Sequence, residues 1–285
     1  MQGRLLYRDG LMLVIDKPPG LPVHRGPKGG EAFEDYFDAL RFGLPRTPSL
    51  AHRLDRDTTG CLVLGRHRKA LALLGKLFKQ GKVGKTYWAV VEGSPPADEG
   101  TIDIALAKRD ESRGWWMKAD PHGLPSVTRW KVMGRFFSPP PCGEGSGVGV
   151  AIKEPPISNN RPPPRPSPTR EEGALGACGE SSPRFTWLAL EPLSGRTHQL
   201  RVHCAEMGFP ILGDTIYGTQ ASLRSLRREN LPRVGEPTLH LHARQVVVPI
   251  SKNKPPVTVT APVPAHMREL LTGCGWRGEP PSPSS

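Results

Sequence analysis

The chain has 285 residues, 36% of them hydrophobic, which is enough for one large domain or two small ones with a buried core. Its 39 Lys and Arg outnumber 27 Asp and Glu, and the formal net charge of +12 favours polyanionic partners through counterion release. The 32 Gly and 33 Pro assign part of the length to loops; no apolar run approaches the roughly 20 residues of a membrane span, and five scattered cysteines without a C-x-x-C pair argue against zinc or a disulfide framework.

The opening MQGRLLYRDG lacks the basic segment and apolar run of a secretion signal, so the expected compartment is the reducing cytoplasm. Leu5 to Tyr7 and Met12 to Asp16 read as short strands joined by Arg8-Asp9-Gly10, and Lys17-Pro18-Pro19-Gly20 stops the second. Phe33, Phe37 and Leu40 recur at helical spacing between Glu31 and Phe42, and Gly43 and Pro45 end the pattern. Cys61 to Leu64 has the character of a buried strand. Lys69 to Gln80 predicts a basic amphipathic helix, with Gly81 placed to end it in a left-handed conformation. Thr86 to Val91 is a further strand.

From residue 138 to 183 the sequence is rich in proline and glycine, has no sustained period, and is expected to be a disordered insertion. Its flanks, VTRWKVMGRF and RFTWLALEPL, both read as strands, so the insertion belongs to a hairpin-like connection inside one domain covering 1–272. Gly143, Gly145, Gly147 and Gly149 within it imitate a nucleotide loop, but no strand leads in. Thr197 to Met207 predicts a helix, and Arg224 to Arg233 a basic surface stretch. Leu239 to Pro249 and Val257 to Ala261 read as strands, His266 to Leu271 as a last helical turn or two, and 273–285 as a disordered tail. Strands dominate without a βαβ rhythm, which predicts an α+β fold with a mixed, largely antiparallel sheet.

Three clusters carry chemistry. In Ala51-His52-Arg53-Leu54-Asp55-Arg56-Asp57-Thr58-Thr59-Gly60, arginines flank a carboxylate that can act as nucleophile or base; the same residues also suit a salt-bridged structural turn. In Gly195-Arg196-Thr197-His198-Gln199-Leu200-Arg201-Val202-His203, Thr197 can cap a helix whose cationic and amide donors suit phosphate or a base edge; a merely solvated basic helix fits too. His198 and His203 are five apart and do not share a helix face, so metal binding is not expected. In Lys85-Thr86-Tyr87-Trp88, Tyr87 can stack on a base or be an ordinary core aromatic. Gly84-Lys85-Thr86 imitates the end of a P-loop, but a strand follows where a helix is required.

In this order the segments LLYRDGLMLVIDKPPG, HRLDRDTTG, GKTYWAVVEG, GRTHQLRVH and GFPILGDTIYG resemble the RluA-type family of RNA pseudouridine synthases over almost the whole chain. The resemblance implies an α+β catalytic fold whose sheet is split by a central cleft, a cofactor-free and metal-free isomerisation of uridine in ribosomal or transfer RNA, and a monomer acting on a stem-loop. It puts Asp55 on the catalytic aspartate, Tyr87 on the tyrosine that packs against the flipped uracil, and Arg201 on the basic partner of the carboxylate. Arg53 falls on the arginine that helps open the RNA stack, and His52, Arg196, His198 and Gln199 join it as expected RNA contacts. The S4-type domain of many relatives is not expected. The alternatives are a non-catalytic RNA-binding or ribosome-assembly protein on the same fold, and a hydrolase of the N-glycosidic bond using Asp57 to activate water.

Overall fold

In chain order the strands are β1 (Leu5–Arg8), β2 (Met12–Lys17), β3 (Ser49–Leu50), β4 (Thr59–Gly65), β5 (Gly84–Glu92), β6 (Glu99–Asp103), β7 (Leu106–Lys108), β8 (Met117–Ala119), β9 (Val127–Phe137), β10 (Pro183–Pro192), β11 (Leu241–Val248) and β12 (Val257–Thr260). Among the described residues, three α-helices, α1 (Arg68–Lys79), α2 (Gln199–Glu206) and α3 (Ala265–Gly273), pack on them, as does a 3-10 helix at Phe33–Leu40. These elements come from a computed structural model that describes residues 1–26, 29–110, 116–137, 183–219, 239–251 and 253–280. Most of the expected insertion and the basic stretch from Arg224 to Arg233 lie outside the described residues.

Ten strands form one sheet in the order β1-β2-β4-β11-β5-β10-β9-β6, with β3 added to β4 and β12 to β11. Among the described residues its only parallel pairing joins β4 to β11, at Thr59–His242 and Gly60–Ala243; all other neighbours are antiparallel. The sheet is thus the mixed, largely antiparallel one expected. Gly60 makes the seam possible: its φ is +101°, and a Cβ there would fall 2.3 Å from the Ala243 carbonyl oxygen.

β2 and β4 are buried on both faces, which explains their near-continuous apolar sequences. Met12, Val14, Cys61 and Val63 face Leu74 and Leu77 of α1, while Leu13, Ile15, Leu62 and Leu64 face Phe33, Phe37 and Leu40 of the 3-10 helix. Across the seam, Phe185 and Trp187 pack on α3, and Leu188 and Leu190 on α2. Tyr87 touches the cores under both the 3-10 helix and α2, so it spans the two halves of one face.

The end of α1 follows its sequence closely. Gly81, at φ +66°, lets its N–H reach the Phe78 carbonyl (3.1 Å) and the Lys82 N–H reach Leu77 (3.0 Å). These paired bonds satisfy carbonyls that a helix end would otherwise leave open.

Other elements differ from expectation. Phe33, Phe37 and Leu40 are buried as predicted, but they ride on a 3-10 helix. The N–H groups of Phe33 and Glu34 bond to the carbonyls of Pro22 and Val23, tying the start of the segment to the preceding chain. Strands β6, β7 and β8 were not foreseen. Each is five residues or fewer and only partly buried, so it carries little apolar alternation. The expected free tail packs as far as residue 280. Glu279 accepts from the Val263 N–H at 2.7 Å and from Arg244 Nη1 at 2.9 Å, and Trp276 lies against the α3 core.

Candidate active site

Asp55 stands in a turn that leads directly into the seam strand β4. The turn is closed by the Thr58 N–H to the Asp55 carbonyl at 3.2 Å, and Leu54 anchors it in the core. Lys17, wholly buried at the end of β2, holds the turn from beneath: its Nζ donates to the carbonyls of Arg56 (2.7 Å), Pro18 (2.8 Å) and Thr58 (3.1 Å). Burial lowers the Lys17 pKa to about 8, while Asp57, Asp55 and Asp16 oppose the shift. The Asp55 side chain remains partly accessible.

Helix α2 brings the second group of residues to Asp55. It is not a solvated helix, since the six residues from Gln199 to Cys204 are all buried. Polar residues on its two sides serve different ends. Gln199 and His203, four apart, turn to β9: Gln199 Nε2 donates to the Val127 carbonyl (2.9 Å) and Thr128 Oγ1 (3.0 Å), and His203 Nδ1 meets the same hydroxyl at 2.9 Å. His198 and Arg201, three apart, turn to Asp55 instead, with Nε2 and Nη1 lying 3.7 and 3.4 Å from Oδ2. The backbone of His198 is left-handed, at φ +53°.

Arg201 is more tightly engaged by a carboxylate that was not singled out in the sequence. Its Nε and Nη2 donate to Asp214 Oδ2 and Oδ1, both at 2.7 Å, and both side chains are buried. Asp214 Oδ1 also accepts the N–H groups of Ile216 (2.9 Å) and Tyr217 (3.1 Å). Burial pushes the Asp214 pKa up, but Arg201 and these amides outweigh it and hold the carboxyl below its usual range. Burial likewise opposes the Arg201 charge, and the hydrogen bonds and charges of Asp214 and Asp55 more than restore it. The Tyr217 ring lies beneath the guanidinium, 5.3 Å from Cζ, and its hydroxyl meets His198 Nδ1 at 2.8 Å. The only signal for Asp214 and Tyr217 in the sequence was the GDTIYG segment, quoted for its resemblance but given no role.

Tyr87 sits on β5 opposite Ala243 of β11 and Leu190 of β10, one strand from the seam. Burial, then the negative charge of Asp55, raises the pKa of its phenol. Among the described residues that hydroxyl has no hydrogen-bond partner in the protein. Arg53 and Arg196 are exposed; Arg196 Nε donates to the Pro125 carbonyl at 3.3 Å.

Two of the expected RNA contacts have other occupations. His52 accepts the Val63 N–H on Nε2 at 3.0 Å and stacks on Phe78 with centroids 4.6 Å apart; burial lowers its pKa to about 4. Gln199 is the second. Besides its two donated bonds, its Oε1 accepts from Ser194 Oγ (2.8 Å) and the Arg196 N–H (3.1 Å), so its hydrogen-bonding capacity is spent inside the protein. Thr197 does not cap α2; His198 occupies the position before it, with no side-chain cap.

The model of the RNA pseudouridylate synthase family matches residues 11–206, well over half of the chain, and takes in Asp55, Tyr87, His198 and Arg201 but not Asp214 or Tyr217. The chain belongs to the RluA-type RNA pseudouridine synthases. It is an isomerase acting on RNA. An RNA pseudouridine synthase of Zymomonas mobilis, itself uncharacterized, is 34% identical over 94% of this synthase and 96% of its own length. The ribosomal large subunit pseudouridine synthase C of Haemophilus ducreyi is 30% identical over 95% of this chain and 69% of its own. Among solved structures, human RNA pseudouridylate synthase domain containing 4 superposes with a TM-score of 0.66, covering 96% of this chain and 93% of that one at 23% identity, a likeness of fold. No helix among the described residues of this synthase is long and apolar enough to cross a membrane.

Proposed function

We propose that Asp55 is the catalytic carboxylate with which this synthase converts uridine to pseudouridine in a stem-loop of ribosomal or transfer RNA. The observation that carries the reading is the convergence of Asp55, Arg201 and His198 at the parallel seam, one strand from Tyr87. The target base is shielded in folded RNA, so it must leave its stack at a cost of a few kcal/mol. Arg53, exposed two residues before Asp55, is the side chain suited to fill the gap. The N1–C1′ bond then breaks, the uracil turns while held, and C5 joins C1′, so no atom is gained or lost.

Attack on C1′ and removal of a ribose proton both require Asp55 to be ionised. Arg201 supplies the neighbouring positive charge, and Asp214 keeps that charge in place when the site is closed off from water. Tyr87 offers a ring for the detached uracil and a phenol held neutral, which can hydrogen-bond to the base without adding a second anion beside Asp55. The non-catalytic alternative does not use this arrangement. Hydrolysis would need a second carboxylate to activate water: Asp214 is buried and engaged by Arg201 and two backbone amides, and a role for Asp57 in activating water is told apart by the release of free uracil. The test is pseudouridine mapping of ribosomal and transfer RNA from a deletion strain rescued with the native protein or with Asp55→Ala. Loss of pseudouridine at defined uridines, restored only by the native protein, is expected. A deletion that loses none, restoration by Asp55→Ala, or release of free uracil would overturn the reading.

A further inference from the structure

We propose that His198, grouped with the RNA contacts in the sequence, is a positioning residue for Asp55 whose tautomer is set by Tyr217. This rests on Asp55 being the catalytic carboxylate, and goes beyond it by giving His198 and Tyr217 distinct tasks.

Tyr217 is held by hydrogen bonds and a ring contact, and the last link, from His198 to Asp55, is a contact of 3.7 Å that becomes a hydrogen bond when the carboxylate turns toward the ring. Tyr217 is fixed from three sides: its N–H binds Asp214 at 3.1 Å, its ring lies under Arg201, and its hydroxyl accepts the Met117 N–H of β8 at 2.9 Å. With that bond accepted, the phenol's own proton is directed to His198 Nδ1, 2.8 Å away. The network thereby assigns the imidazole proton to Nε2, the nitrogen that faces Asp55 Oδ2 at 3.7 Å. The ring is buried, sits at 82° to the Tyr217 ring, and has Asp55, Arg201, Asp214 and Tyr217 as its ionisable neighbours. Burial first of all keeps it neutral, against the pull of the two carboxylates.

A neutral N–H 3.7 Å from a carboxylate oxygen can receive that oxygen as it turns, without supplying a second positive charge. That complements Arg201, whose two shorter bonds go to Asp214 and which reaches Asp55 only at 3.4 Å. Arg201 places a positive charge beside Asp55, and His198 sets its direction. The backbone supports the assignment. His198 is one of only two non-glycine residues with positive φ among the described residues, a costly conformation that persists where the surroundings over-determine it. Gln199 supplies part of that constraint by locking residues 194 and 196 ahead of the helix. The chain through Met117 also joins Asp55 to strand β8.

The test compares His198→Asn, which tolerates the left-handed backbone and reaches Tyr217 but not Asp55, with His198→Gln, whose longer amide reaches Asp55. Ribosomal and transfer RNA from the deletion strain is the substrate, in single-turnover reactions with enzyme in excess. His198→Asn is expected to slow pseudouridine formation about 10- to 100-fold, the range for losing a group that orients a reactive ligand, with the half-saturating enzyme concentration unchanged. His198→Gln is expected to recover most of that loss. Tyr217→Phe keeps the ring under Arg201 and is expected to slow the native protein, yet to add nothing in the His198→Asn background. The inference is overturned if His198→Asn turns over at the native rate, if the effect lies wholly in half-saturation, if His198→Gln is no better than His198→Asn, or if the Tyr217→Phe loss multiplies with that of His198→Asn. An Asp55→Asn control that retains activity would instead bring down the reading on which the inference rests.

Discussion

Two segments of this synthase each combine a histidine with arginines, and they dispose of them in opposite ways. In the turn at 52–56, the first polar residue goes inward: His52 is consumed by a backbone amide and Phe78, while Arg53 and Arg56 stand in solvent. In α2 the polar residues from Gln199 to His203 go inward, while Arg196 before the helix and Glu206 at its end remain exposed. The difference is not one of residue type. It follows from what each neighbour offers: β9 and Asp214 present acceptors and donors that match Gln199, His203 and Arg201 one for one, whereas the turn at 52–56 has backbone partners for His52 and few for its arginines. A basic motif therefore says that a polyanion is near, but not which of its side chains meets it.

That contrast can be broken at several points. Asp55→Asn is expected to reduce pseudouridine formation at least about 10³-fold, as removal of an essential reacting group does, while urea unfolding stays within about 1 kcal/mol of the native protein. Residual activity near the native level would shift the chemistry away from the turn. Asp214→Asn is expected to cost about 3–5 kcal/mol in the same unfolding experiment, since it strips a buried guanidinium of its charge partner. An unchanged midpoint would mean that Asp55 alone can hold Arg201.

Smaller effects sharpen the comparison. Gln199→Leu should cost about 1–3 kcal/mol of stability by leaving buried partners unpaired, with no change in the salt dependence of RNA binding. Acid should weaken the fold through His52 and His242. Both have pKa values lowered to about 4 by burial, against 6.5 unfolded, so the unfolded chain binds more protons between those values. Their stabilisation is complete above pH 6.5 and is lost as pH falls toward 4, at no more than about 1.4 kcal/mol per pH unit for each group. Thermal melts of His242→Gln across that window should show a shallower slope; an equal slope would place the titration elsewhere. Arg53→Gln should leave stability unchanged and lower the slope of log affinity against log salt by about 0.7–0.9, one phosphate's worth. If Gln199→Leu gives that signature and Arg53→Gln does not, the inward and outward assignments are reversed.

Much of the fold was legible because local rules agreed with it. The strands at Met12, Cys61 and Thr86 are continuous apolar runs, and the Gly81 stop of α1 is chemistry that only glycine performs without strain. What was not legible depends on distance along the chain. Arg201 and Asp55 were paired by resemblance, but nothing local to Arg201 shows that Asp214, thirteen residues on, takes two of its donors. Likewise Gln199 looks like a surface amide until Val127 and Thr128, more than seventy residues away, are folded against it. The left-handed turn at His198 carries no glycine or asparagine to announce it.

The pairing of β9 with β10 has one more consequence. It runs from Phe137–Pro183 at one end to Thr128–Pro192 at the other, and the Trp130–Leu190 rung, in line with Tyr87, lies seven residues from the end where residues 138–182 join. At about 3.4 Å per residue that is roughly 24 Å of laddered backbone between the junction and the catalytic row. Changes of length at the junction are thus insulated from the register that positions Tyr87. The same junction is a port for splicing in a fluorescent reporter or an affinity tag.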